Sequence, residues 1–352
     1  MISSAIPLAL LYTLVSFPSV CTAQVVPPSQ VAQLYSLSTS TSLPFPTATL
    51  SSSDAQSFLV SSWGLGKGHI QNGADELEFV SDPFPNAPAP DTGSPTSGPV
   101  LQVTYPAGSF SNGTGGAQFY NLWNTTDGSQ FQTMLLSYEV AFDSDFNFVK
   151  GGKLPGLRGG SVVDGCDGGD AANGSNCFST RLMWRTSGAG EVYSYILNPN
   201  DECSNADFIC NSDGFGTSID RGSFSFLTGQ WNAVTLLVSF NSPNLEANGQ
   251  VAVYYNNVLA LDERSLQYRN SSSVTIGGLF FSTFFGGDDS SWATPQTVHT
   301  YFRNFQMWGS SSPSNISGPM VSGAPPAAGN LGYASVITTL VLGFAAILGT
   351  FV

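Results

Sequence analysis

Between Phe58 and Trp308 short apolar runs alternate with turn residues and no long stretch has helical periodicity, which restricts this part of the chain to an all-β architecture. Val100–Tyr105 stops at Pro106, and Met134–Phe142 (MLLSYEVAF) is a second run. Trp231–Phe240 (WNAVTLLVSF) is apolar almost throughout, as expected of a strand covered on both faces. Gln250–Leu261 predicts a hairpin turning at Asn256-Asn257, a pair that tolerates positive φ. Such spacing predicts two packed antiparallel sheets, a jelly-roll sandwich, over residues 57–309; about 250 residues is ample for one such domain.

The flanks differ in composition. Residues 1–23 read as a secretory signal peptide, since Ile6–Val20 is mostly apolar and Cys21-Thr22-Ala23 offers small residues for cleavage. Residues 24–56 are rich in Ser, Thr and Pro with few large apolar groups, which predicts an O-glycosylated or disordered lead-in without a core. Residues 310–330 have the composition of a stalk, and 331–352 form an apolar tail downstream of the small cluster Ser322-Gly323-Ala324, the pattern of a GPI-anchor signal. A transmembrane helix is the alternative; against it, no Lys or Arg follows Arg303. The expected product is an extracellular monomer, held to plasma membrane or cell wall through that anchor alone. Cys21 would leave with the signal peptide, and the remaining Cys166, Cys177, Cys203 and Cys210 predict two disulfides in an oxidising compartment. Of three connectivities the local one is preferred, Cys166 with Cys177 and Cys203 with Cys210. Sequons at Asn112, Asn124, Asn173, Asn270 and Asn315 agree with export.

A net charge of -14 argues against nucleic acid as a partner, yet half of the ten Lys and Arg lie between positions 150 and 185. These are Lys150, Lys153, Arg158, Arg181 and Arg185. Because salt screens charges beyond about 8 Å, a bound anion would sense that patch rather than the acidic whole. In Phe178–Arg185 (FSTRLMWR) strand alternation puts Ser179, Arg181, Met183 and Arg185 on one face, with Phe178, Thr180, Leu182 and Trp184 on the other. After a short glycine-containing loop, Glu191–Leu197 (EVYSYIL) places Tyr193 and Tyr195 on a common face. Pairing residue 185 with 191 would set Met183 opposite Tyr193 and Arg181 opposite Tyr195. A solvated outer sheet face with tyrosine filler is the plainer reading of the same pattern. Upstream, Lys150–Gly160 (KGGKLPGLRGG) combines basic side chains with glycines that allow close backbone approach to a ligand, without phosphate-loop spacing.

The sequence resembles polysaccharide lyase family 14, the alginate and glucuronan-type lyases with a β-jelly-roll fold, and among them a fungus-like secreted member. The resemblance spans roughly Phe58 to Trp308 and rests on GGKLPGL (Gly151–Leu157), SxR (Ser179–Arg181), YxY (Tyr193–Tyr195), Gly229-Gln-Trp231 and Ser282–Gly287 with Trp292 and Pro295 beyond. It implies that Lys153, Ser179, Arg181, Tyr193 and Tyr195 match the family's catalytic positions; Lys150, Arg158 and Arg185 of the basic patch are expected to bind the acidic polysaccharide. The Cys166–Cys177 segment departs from the pattern as an insertion beside the cleft. β-Elimination on a uronic acid polymer removes the C5 proton beside a carboxylate and expels the C4 glycosidic oxygen. Arg181 or Lys153 can neutralise that carboxylate, and Tyr193 or Tyr195 can act as base, acid or both. A phenol of ordinary pKa near 10 is a poor base at neutral pH, so the adjacent cations are expected to lower it. Ser179 would orient a neighbour or the substrate rather than act as nucleophile, since His69 and His299 stand in no matching motif.

Two other classes compete. A glycoside hydrolase needs two carboxylates across the cleft, and the basic hairpin holds only Glu191. A non-catalytic wall-binding module would use the same basic face. No cofactor is expected and no metal, although Asp164, Asp167 and Asp170 crowd the insertion.

Overall fold

The apolar runs become strands of two antiparallel sheets in the computed structural model, which describes residues 24–90, 98–160, 165–198, 202–211, 213 and 215–321. The segments read as signal peptide and anchor tail, with Ser322–Ala324 and Asp164, lie outside the described residues. In chain order the described elements are α1 (Pro28–Leu34), β1 (Thr39–Ser42), α2 (Ser52–Ser62), β2 (Leu77–Val80), β3 (Val100–Tyr105), β4 (Ala117–Leu122) and β5 (Thr133–Phe142). There follow β6 (Gly151–Gly160), β7 (Cys177–Arg185), β8 (Ala189–Tyr195), β9 (Phe208–Ile209), β10 (Thr217–Ser225) and β11 (Trp231–Ser239). The last are β12 (Gly249–Tyr255), β13 (Val258–Leu266), β14 (Ile276–Phe285) and β15 (Val298–Ser310).

The first sheet runs β13-β12-β11-β5-β15-β3-β2, with β1 paired to the far part of β15; the second runs β4-β14-β6-β7-β8-β10-β9. Central β11 is buried along its whole length, as its near-continuous apolar sequence requires. The β12–β13 hairpin turns at Asn256 and Asn257, whose φ values are 49° and 64°. One core fills the space between the sheets. Leu154, Phe178, Leu182 and Trp184 of the second sheet meet Leu136, Tyr138 and Phe142 of the first there. The Trp184 ring packs edge-on against Phe142, Phe146 and Phe285 at 5.4 to 5.9 Å between centroids, contacts worth about 0.5–1.5 kcal/mol each beyond area burial. Both preferred disulfides, Cys166–Cys177 and Cys203–Cys210, are formed.

The lead-in is not coreless. Val26, Val31, Ala32 and Leu37 pack on Leu135, Leu237, Ala252 and Tyr254, covering the outer face of the first sheet, and β1 adds to β15. Few apolar residues suffice because the sheet supplies the rest of the buried surface, which average composition does not reveal. The start of the expected stalk is likewise docked: Ala247 N–H donates to Pro319 O and Val321 N–H to Leu245 O, both at 2.8 Å.

Candidate active site

The second sheet turns Phe178, Leu182 and Trp184 of β7 into the core and presents Ser179, Arg181, Met183 and Arg185 on the opposite face. Tyr193 and Tyr195 of β8 share that face, but the register is offset by two residues from the expected one. Ser179 pairs with Tyr195, Arg181 with Tyr193 and Met183 with Glu191. Thr186–Gly188 forms a single 3-10 turn with Ser187 at φ 60° and Gly188 at φ 81°, so the strand resumes at Ala189 and the connection is shorter than the sequence suggested. An even offset leaves every side chain on its face and changes only its neighbours.

Strict alternation along β6 would send Lys153 and Arg158 to opposite faces, yet both lie on the site face, paired with Met183 and Ser179 respectively. The cause is a bulge between Leu154 and Gly156. Pro155 has no N–H to give the ladder, and its carbonyl accepts from the buried Tyr138 hydroxyl at 3.0 Å. Gly156 is required there, because a Cβ would lie 2.1 Å from Thr180 O. The GGKLPGL motif is thus the device that brings two cations onto one face.

Lys153 is partly buried, with Nζ 2.8 Å from Met183 Sδ and 3.3 Å from the Tyr193 ring centroid. Its pKa lies well below the ordinary lysine value, first because burial disfavours the ammonium and then because Arg181 and Arg185 repel it. Burial raises the Tyr193 pKa, and the opposing pull of Arg181 and Arg185 is smaller. The expectation that neighbouring cations would lower this phenol is therefore overturned: desolvation is the larger effect, and Tyr193 keeps its proton. Tyr193 and Tyr195 meet edge to face at 5.9 Å. Arg181 is buried against the Phe280 ring at 4.6 Å and donates to Ser282 Oγ at 3.0 Å.

The segment closed by the Cys166–Cys177 disulfide lies over part of this face. Ser179 Oγ donates to Cys166 O, Arg158 Nη2 to Gly165 O at 3.3 Å, and Gly169 N–H to Tyr195 Oη at 3.3 Å. Ser179, Arg158 and Tyr195 are accordingly 0, 2 and 3% exposed and Arg181, packed on Phe280, is 1% exposed, whereas Lys153 and Arg185 reach solvent. Arg158 is stacked at 4.2 Å on Tyr120, so burial places it outside the open contact surface expected from sequence. Exposed Lys150 stands apart at the start of β6, donating to Ser291 Oγ with its Nζ 5.7 Å from the Trp292 ring. His69 is exposed and its Nδ1 contacts Lys67 O at 2.9 Å.

Sequence reasoning left unassigned two charged residues that complete the face. Glu191 is fully buried and takes Arg185 Nη2 and Arg221 Nε, each at 2.6 Å. Burial alone would raise its pKa, but Arg185, Ser218 and Arg221 together hold it below the usual carboxylate range. Arg221 lies in β10, far from the basic hairpin in sequence, and only the β8–β10 pairing brings it in.

A lysine whose ammonium is disfavoured by burial and by two arginines, a phenol that keeps its proton and flanking guanidinium groups thus share one face of the second sheet. The chain belongs to polysaccharide lyase family 14, whose profile matches residues 93–305. It is similar to the marine PL-14 alginate lyase from Aplysia kurodai, with 31% identity and a TM-score of 0.59 over 76% of this chain and 100% of that one. Alginate lyase vAL-1 from Chlorella virus shares the fold at 22% identity and a TM-score of 0.51, over 62% of this chain and 88% of that one. Exolysin of Paramecium bursaria Chlorella virus 1 is 26% identical over 207 residues, 52% of this chain; the match spans only 29% of that relative's length.

Gly216 packs against both tyrosines: a Cβ there would come within 2.8 Å of Tyr193 Cε1 and 2.9 Å of Tyr195 Cδ2. Gly216→Ala should push the rings aside, costing about 1–3 kcal/mol as overpacking does. Turnover should fall several-fold, read by steady-state kinetics beside a thermal melt.

Proposed function

We propose that this chain cleaves a uronic acid polysaccharide by β-elimination on a jelly-roll scaffold. The observation that supports this most is the placement of Lys153, its ammonium form disfavoured, against the ring of a tyrosine that keeps its proton. In this reading the Lys153 amine takes the C5 proton and the C5–H electrons form the C4=C5 double bond. The C4–O4 bond breaks, and the Tyr193 hydroxyl delivers a proton to the leaving oxygen. Arg185, which reaches solvent beside Tyr193, neutralises the substrate carboxylate and stabilises the charge that builds at C5. Buried Arg181 acts through its field on Lys153, while Tyr195 and Ser179 hold the insertion loop and the neighbouring phenol in place.

A hydrolase is disfavoured because Glu191, on this face, has both oxygens committed to arginines rather than facing a glycosidic bond. The name of the Aplysia relative points to alginate as the first polymer to try, with polyglucuronate beside it. Incubating the purified protein with each should produce rising ultraviolet absorbance from the unsaturated uronate end. New reducing ends without that absorbance would instead mark a hydrolase, and binding without either would mark a wall-binding module. The two disulfides support an oxidising, extracellular setting, and we place the mature protein there, GPI-anchored to membrane or wall. Release from cells by a phosphatidylinositol-specific phospholipase tests the anchor.

A further inference from the structure

We propose that Glu191 is a positioning residue that holds Arg185 and Arg221 as a guanidinium pair, and that Arg221 binds the carboxylate of the uronate unit next to the one at Lys153. This rests on the lyase reading and adds a requirement on the substrate, namely consecutive uronate units.

The Glu191 carboxylate is 0% exposed and accepts three hydrogen bonds, with a further ion-pair contact from Arg185 Nη2. Arg185 gives it Nε at 2.8 Å and Nη2 at 2.6 Å on one oxygen; Arg221 Nε and Ser218 Oγ each reach the other at 2.6 Å. Arg221 Nη2 also donates to Ser218 Oγ at 3.2 Å, which fixes the plane of its guanidinium. Two cations around one anion leave a net positive charge, and its outer part is open: the Arg221 side chain is 38% exposed and that of Arg185 14%. Arg221 Nη1 and Arg185 Nη1 make no hydrogen bond among the described residues. Both are donors held in a plane and turned toward water, the geometry that suits a carboxylate.

The backbone is bent to achieve this. On strict alternation Arg221 would share the core-directed face of Ile219, but the β8–β10 register breaks between Ile219 and Phe224, and Asp220 adopts φ 51°. This irregularity returns Arg221 to the site face. Arg185 and Lys153 flank the same Tyr193 ring, 6.0 and 3.3 Å from its centroid, so the pair begins where the reacting unit ends. A polymer whose uronates are separated by neutral sugars would leave Arg221 without its anion.

The test uses the intact protein with oligouronates of two to six units and with a polymer alternating uronate and neutral sugar, read by kinetics and by calorimetric binding. Arg221→Gln should raise KM about tenfold on consecutive uronates with kcat within about twofold, flatten the salt dependence of KM, and leave the alternating polymer unaffected. Arg221→Lys should recover part of that loss. Glu191→Gln should raise KM at least as much, and if it melts early the two exposed Arg221 variants still decide the matter. Unchanged KM in Arg221→Gln alongside normal elimination overturns the subsite and leaves the lyase reading standing. Arg221-dependent binding of oligouronates without elimination overturns the lyase reading and keeps the subsite; a protein that neither binds nor cleaves them overturns both.

Discussion

Replacing Lys153 with methionine is expected to lower kcat by about a thousandfold, within the range that loss of a positioned general base produces, while the protein stays folded. Methionine fills nearly the same volume beside Met183 and removes a group whose charged form is disfavoured by burial. The pH dependence follows from the same shift. The Lys153 pKa is depressed in the folded protein while the unfolded value is near 10.4, so between the two the unfolded chain binds more protons. Wild-type stability therefore rises with pH through that window, and the Lys153→Met protein should lose that slope. Activity should climb with pH as the amine form fills, on a limb lying well below the ordinary lysine range, and the residual activity of the variant should lack that limb. Turnover within tenfold of wild type would remove Lys153 from the proton transfer and return the base role to a tyrosine. Arg181→Gln offers a second reading of the same field: with one repelling charge gone, the ascending limb should move to higher pH.

Much of this face was legible in the sequence because strand alternation is a local rule. The period of two sorted Ser179, Arg181, Met183 and Arg185 from Phe178, Leu182 and Trp184 without knowledge of the partner strand. What alternation cannot give is register across a turn or parity across a bulge. After the 186–188 connection the strand resumes two residues earlier than its glycines suggested, moving Arg181 from Tyr195 to Tyr193. Pro155 was the visible sign that β6 breaks its period, since proline inside a strand is confined to edges or bulges, and that sign places Lys153 and Arg158 on one side. Arg221 had no such sign; its place depends on a long-range pairing and on the irregularity at Asp220. The order of effects on Tyr193 was equally hidden, because the pull of two arginines can be guessed from spacing but the depth of burial cannot.

Removing the Cys166–Cys177 staple by the double change Cys166→Ser, Cys177→Ser is expected to lower stability by about 3 kcal/mol, from the freedom returned to a closed segment of some eleven residues. It should also lower kcat roughly tenfold, for a different reason. Through Gly165, Cys166 and Gly169 the segment holds Arg158, Ser179 and the hydroxyl of Tyr195, and Tyr195 sets the edge against which Tyr193 rests. A loosened loop costs the phenols their fixed orientation, and small misplacements are expensive when a proton must cross a short gap. The same cover lies over Ser179 and Arg158, so its release uncovers cationic surface and should lower or leave unchanged the KM for long polymers. Opening Cys203–Cys210 by the same double change separates the two consequences. That shorter closure lies in the β8–β10 connection and should cost stability with kcat preserved. Equal losses of kcat from both pairs would show that the Cys166–Cys177 loop acts only as a stability element; a loss confined to the Cys166–Cys177 pair would tie the covering loop to the chemistry beneath it.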